Sequence, residues 1–310
     1  RRVGQCARCR PRVQRCSRSD HGGDRRRLGA ATDTGLNLTV PFSFSDQHIE
    51  DYHRLGFTVF RAILPATLVG DLRRVTDQAR EIARQANGAQ VQRLQPVTAY
   101  EQLDLTPFTD YSQLPALADA VQRILGPEHV HSNLDVLGVL LEPAEQPWCT
   151  QWHRDWRDNM GGLDLVAWEA DFREPALFNQ VNCALYEDGS TWVVPGSHQR
   201  HDLPREIQRF PQRPIERPDT TGLSAAEAER VCWEYVVSMP GAEQLVLAAG
   251  DYCLYRNSLW HLGNYVPYRR RATLHDTADC DAFRLWREEQ GSAAAVRREA
   301  GAGIDMPPTR

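Results

Sequence analysis

The chain changes its hydrophobic rhythm near residue 130. Before that point apolar residues recur at helical spacing. Ser45 is placed to cap a helix that runs through Tyr52 and His53 and stops at Gly56. Phe57-Thr58-Val59-Phe60 then has the composition of a strand. After Pro65, the residues Leu68, Leu72, Val75, Ala79, Ile82 and Ala83 mark one face of a second helix. Residues 114–125, closed by Gly126, predict a third. Beyond Val130 the texture becomes short β-rich runs, at 136–141, 152–156, 177–186, 191–194, 244–248, 252–255 and 271–275. Glu187-Asp188-Gly189-Ser190 and Pro195-Gly196-Ser197 supply turns between them. The expected fold is mainly β with flanking α-helices, its core a sandwich, barrel or jelly roll. Residues 200–241 are too long for a plain hairpin loop and predict a partly helical insertion or lid. From about residue 286 a short helix and a frayed tail are expected.

Composition refines this picture at the N-terminus. Residues 1–27 hold ten Arg against Asp20 and Asp24, a charge of +8, so the rest of the chain carries −13 to reach the overall −5. An acidic body argues against nucleic acid as a partner. The first 40 residues lack a periodic apolar pattern and are expected to form a disordered basic arm. Within it, Cys6-x-x-Cys9, with Cys16 and His21 nearby, is half of a zinc site and lacks a second pair. The chain of 310 residues has eight Cys and no signal-peptide pattern, which predicts reduced thiols and a cytoplasmic location. No run of 18 apolar residues occurs, so a membrane span is not expected. The domain organisation read from these features is an arm at 1–40, one domain at 41–285, and a C-terminal helix and tail at 286–310.

The chemistry centres on Gln151-Trp152-His153-Arg154-Asp155-Trp156. In a strand, residues two apart face the same way, so His153 and Asp155 would converge and Arg154 would turn away. One His and one carboxylate are two thirds of the facial triad that holds non-haem Fe(II) with open positions. His261, on a loop after a β run, is the candidate third ligand. Arg269-Arg270-Arg271 follows, and a guanidinium near such a metal can grip a keto-acid carboxylate bidentately.

Asp188-Gly189-Ser190-Thr191-Trp192-Val193-Val194-Pro195-Gly196-Ser197-His198 resembles the signature segment of the phytanoyl-CoA dioxygenase (PhyH-like) family of Fe(II)/2-oxoglutarate-dependent oxygenases. The order of His-x-Asp, Pro-Gly-Ser-His, Gly-Asp before a distal His, and Arg-x-Ala follows that family over roughly residues 45–278. The resemblance implies a double-stranded β-helix (jelly-roll, cupin-like) core. It implies Fe(II) held by His153, Asp155 and His261 as metal ligands and catalytic residues, with 2-oxoglutarate chelating the metal and O2 as oxidant. By the family pattern Arg270 anchors the keto acid, with Arg269 and Arg271 still in play, and Asn182 points toward the co-substrate. The implied reaction hydroxylates a small-molecule C–H bond and releases succinate and CO2. A carboxylate at position 155 favours hydroxylation over halogenation.

Other readings stand beside this one. The chain would also suit a jelly-roll binding protein or pseudo-enzyme that lost turnover, or a cupin that uses another metal without 2-oxoglutarate. His198 and His201 are read as structural or surface residues, and His275 as a half-buried strand residue. The tryptophans at 152, 156, 168, 192 and 260 are read as core or pocket wall. Substrate choice is expected to lie in the 156–178 loop and the 200–241 insertion.

Overall fold

The computed structural model describes residues 42–89, 91–212 and 215–299. The basic arm, with Cys6, Cys9, Cys16 and His21, and the end of the tail lie outside the described residues. The N-terminal part holds α1 (Asp46–Leu55), β1 (Phe57–Phe60), α2 (Ala66–Asn87), β2 (Arg93–Leu94), α3 (Thr106–Ser112) and α4 (Pro115–Leu125). Next come β3 (Gly138–Leu141), β4 (Trp148–Cys149), α5 (Leu165–Asp171), β5 (Asn179–Ala184) and β6 (Asp188–Val193). The chain continues with α6 (Pro204–Arg209), α7 (Ala225–Val237), β7 (Glu243–Leu247), β8 (Tyr252–Arg256), β9 (His261–Tyr265), β10 (Ala272–Asp276) and α8 (Asp281–Glu299). Among the described residues of 200–241 there are two helices, and the last helix begins five residues before the position predicted for it. Among the described residues no helix is long and apolar enough to cross a membrane.

The strands form two antiparallel sheets. One has six strands in the order β1-β8-β5-β10-β3-β2, the other four in the order β4-β9-β6-β7. Their register decides which side chains share a face. Thr273 pairs with Leu140 and Ala184, and His275 pairs with Gly138 and Asn182. Asn182 in turn pairs with Cys253, and Gln180 with Tyr255. Directly opposed residues project to the same side, so these side chains line one face of the large sheet. The opposite face carries Leu274, Val139, Val181 and Leu254, which belong to an apolar core shared with Leu72, Val75 and Ala79 of α2 and Leu117 and Val121 of α4. A second core joins Trp192 and Leu262 of the small sheet to Cys232 and Val236 of α7. The remaining faces share a smaller apolar cluster, with Ala184, Cys253 and Tyr255 from the large sheet and Val193 and Leu245 from the small one, beside the polar residues described below.

The Pro-Gly-Ser-His turn is locked to α1. Ser45 N–H donates to His48 Nδ1 at 3.0 Å at the start of this helix, and Gly56 N–H closes its end on the Tyr52 carbonyl at 3.0 Å. Gly56 adopts φ +87°, and a Cβ there would come within 2.5 Å of His198 Nδ1. Only glycine combines that backbone with so close an approach. His198 is buried, donates from Nε2 to the His53 carbonyl at 3.1 Å, and among the described residues leaves Nδ1 without a partner.

Burial, reinforced by the Arg256 cation, depresses His198 from 6.5 to about 4. Between those values the unfolded chain binds a proton that the native chain does not, so stability falls as pH falls from 6.5 toward 4. Below about 4 both states are protonated and this contribution flattens. The expected slope for one such group is at most about 1.4 kcal/mol per pH unit. Urea denaturation across pH 4–7 should reveal this slope, and His198→Gln should reduce it.

Candidate metal centre

Residues 152–156, predicted as a strand, form no regular strand. His153 makes a single antiparallel bridge to His261, with reciprocal N–H···O bonds of 3.1 and 3.0 Å. The chain then turns, because Asp155 N–H is drawn to the Asn257 carbonyl at 2.9 Å and Trp156 takes a left-handed φ of +68°. The bridge sets the two imidazoles side by side, their centroids 4.2 Å apart. The turn brings the Asp155 carboxylate under both, with Oδ1 3.3 Å from His153 Nε2 and 3.9 Å from His261 Nε2. One donor atom from each of the three residues lies within 4.8 Å of the others, which is the spacing of a metal cage.

The hydrogen bonds behind the rings select the donor nitrogen. His153 Nδ1 donates to the Gln151 carbonyl at 2.8 Å, and His261 Nδ1 donates to the Leu259 carbonyl at 2.9 Å. Each Nε2 therefore faces inward, where it can offer a lone pair to a metal once His153 gives up the proton it shares with Asp155. Burial opposes charge on Asp155, but the His153 hydrogen bond and the neighbouring imidazoles outweigh it and hold the carboxyl below its usual range. Burial first, then the His153 charge, depresses His261 to about 4. His153 moves the other way, because Asp155 overcomes its burial penalty. The set of one ionised carboxylate and two imidazole nitrogens fits a divalent cation.

Arg154 points away from this cage and braces it from behind. It is fully buried, and Nη1 donates to the Ser197 and Ser258 carbonyls at 2.7 and 2.8 Å. Ser197 also accepts from Trp260 N–H through Oγ at 2.8 Å. The Pro-Gly-Ser-His segment thus fixes the backbone beside His153 and beside His261, at Arg154 and at Trp260.

Residues 52–264 match the sequence profile of the phytanoyl-CoA dioxygenase (PhyH) family. The chain belongs to that family. A comparison with curated protein sequences finds no match. Among solved structures, EvdMO1 is similar at 15% identity and TM-score 0.48, with 74% of this chain and 48% of that one covered. The chain therefore spans about half the length of EvdMO1. HygX from Streptomyces hygroscopicus, solved with nickel and 2-oxoglutarate bound, is similar at 15% identity and TM-score 0.49, covering 75% of this chain and 86% of that one. EctD from S. alaskensis is similar at 18% identity and TM-score 0.44, with 77% of each chain covered.

In this PhyH-family chain the three arginines after His261 are sorted by strand parity. Arg271 shares the face of Thr273 and His275, is 6% exposed, and its Nε donates to Asp188 Oδ2 at 2.9 Å. Among the described residues no hydrogen bond is drawn by its terminal nitrogens. Its guanidinium lies over the Tyr265 ring at 5.0 Å, against a cavity of about 270 Å³ that Asp188 and Tyr265 also line. Burial opposes charge on both members of the pair, yet their mutual attraction raises Arg271 and holds Asp188 at about 2. Arg270 has the opposite parity. It is half-exposed, ion-paired with Asp77 of α2, and stacked over Tyr186. Arg269 and Arg270 line the same cavity as Arg271, and of the neighbours Arg270 and Arg271 it is Arg271 that is buried.

Asn182 lies on the interior face with both ends of its carboxamide engaged. Nδ2 donates to Thr191 Oγ1 at 3.1 Å, and Oδ1 accepts from His275 Nδ1 at 2.9 Å. His275 is depressed to about 3, by burial and then by the Arg93 charge, so its ring is neutral. Gly263 leaves room for the neighbouring Tyr265, whose hydroxyl a Cβ would overlap. Tyr265 and His275 carry no motif that sequence reasoning could have singled out, and Asp188 stood in the signature segment without a role of its own. Only the pairing of the strands gathers them.

Proposed function

We propose that His153, Asp155 and His261 hold Fe(II), that Arg271 anchors the distal carboxylate of 2-oxoglutarate, and that the enzyme hydroxylates a C–H bond of a small molecule. The observation that carries this reading is the convergence of two oriented Nε2 atoms and one ionised carboxylate within 4.8 Å. Iron, once bound, would supply the coupled decarboxylation of the keto acid and oxidation of the substrate. The chain itself would supply geometry. His153 and His261 present fixed lone pairs, Asp155 brings the negative charge, and Arg271 offers the end of its guanidinium while Asp188 holds Nε. Asn182 acts through His275, whose tautomer it sets. In this reading the two sheets are the halves of a double-stranded β-helix with the site between them. The carboxylate at 155 occupies the position that a halogenating relative would leave open, which favours hydroxylation.

Anaerobic titration of Fe(II) into the protein with 2-oxoglutarate should produce the weak visible charge-transfer band of the chelate. Succinate should then form on admission of O2, slowly without substrate and faster with it. If Fe(II) bound without a keto-acid-dependent band, the assignment would pass to a metal-binding cupin. Without Fe(II) binding, the jelly-roll binding protein would be the better description.

A further inference from the structure

The loop that carries Asp155 holds backbone conformations that seldom occur outside glycine. Trp156 has φ +68°, and Phe178, where the loop rejoins β5, has φ +61°. Such a residue costs about 1–3 kcal/mol and persists only where its surroundings enforce it. At Trp156 the enforcement comes from two sides. Its indole packs edge-on against Phe283 at 5.9 Å and Trp286 at 5.7 Å, both on α8. The Trp156 backbone N–H donates to Asn159 Oδ1 at 2.7 Å.

The other end of the Asn159 carboxamide reaches the metal centre. Nδ2 donates to Asp155 Oδ1 at 2.7 Å, the same oxygen that faces the Nε2 atoms of His153 and His261. One side chain thus holds both the left-handed turn after Asp155 and the carboxylate that turn delivers. An unrestrained Asp carboxylate rotates about its terminal torsion, which is broad and soft. A neutral amide donor removes that freedom without adding charge beside the metal. The loop is anchored farther along by α8, where Arg298 Nη1 donates to the Gly161 carbonyl at 2.6 Å and Arg297 Nη2 pairs with Asp164 at 3.0 Å.

We propose that Asn159 is a positioning residue of the metal centre, aligning the Asp155 carboxylate for the cation. This rests on the reading that Asp155 is an iron ligand. The test is calorimetric titration of Fe(II) under anaerobic conditions into wild type, Asn159→Ala and Asn159→Asp, with thermal unfolding of the apo-proteins alongside. Losing a partner that orients a ligand lowers metal affinity by about 10–100-fold, and Asn159→Ala should fall in that range with its melting temperature within a few degrees of wild type. Asn159→Asp should bind more weakly still, because a second carboxylate faces Oδ1 with no proton to share. If Asn159→Ala does not fold, Asn159→Ser takes its place, since its hydroxyl can serve the Trp156 N–H but is too short for Asp155. Fe(II) affinity within twofold of wild type in the variant that folds overturns the inference and leaves the iron site intact. A wild-type protein that takes up no Fe(II) overturns the site reading and the inference together.

Discussion

Replacing Asp155 with alanine is expected to abolish Fe(II) binding and the keto-acid chelate band. The carboxylate is the only anion of the cage, and the two imidazoles, 4.2 Å apart, would be left to hold a divalent cation with no negative charge. The loss should exceed the roughly 10–100-fold that removal of an outer hydrogen-bond partner produces. The fold should survive, because the Asp155 backbone bond to Asn257 is untouched by the substitution. His153 should also change. Its upward shift depends on Asp155, so in the variant burial dominates and its pKa should drop below the ordinary histidine value. Calorimetric titration with Fe(II), together with the NMR titration of the His153 ring in apo-protein, checks both parts. Wild-type Fe(II) affinity in Asp155→Ala would remove this residue from the ligand set.

The second large effect is expected at Arg271, and it separates this residue from its neighbour. Arg271→Ala should weaken 2-oxoglutarate binding by roughly 30–1000-fold, the equivalent of about 2–4 kcal/mol for losing one partner of a desolvated charge pair. The same substitution strips Asp188 of its cation and leaves a buried carboxylate with Ser190 and Thr273 as its donors. That should cost a further 3–5 kcal/mol or about that amount in stability, so Arg271→Lys is the companion variant that keeps a positive charge while losing the planar fork. Arg270→Ala removes a half-exposed ion pair with Asp77 and should change stability by less than about 1 kcal/mol, with 2-oxoglutarate affinity unchanged. Keto-acid titration of the Fe(II)-loaded protein, read through the chelate band, distinguishes the two arginines. A larger loss at Arg270 than at Arg271 would refute the proposed anchor.

The α1 helix, its Gly56 stop and the strand at 57–60 were legible because each rests on local signals, a cap, a left-handed glycine and a β-rich run. The ordered motifs His-x-Asp, Pro-Gly-Ser-His and the distal His were legible as a family pattern, and the family profile covers them through residue 264. Those features depend on neighbours in the chain, which is why a linear reading reaches them. Arg270 and Arg271 could not be separated that way, since one residue of register reverses the face on which a side chain lies. The pairing of Thr273 with Leu140 and Ala184 settles that register, and it is made by strands about 90–130 residues distant in the chain. Nor does the sequence announce Asn159. Its role comes from a left-handed turn at Trp156 that α8, more than 100 residues downstream, packs into place. Local chemistry in this protein names the candidate metal ligands, whereas long-range strand pairing and helix packing decide which side chains lie against them.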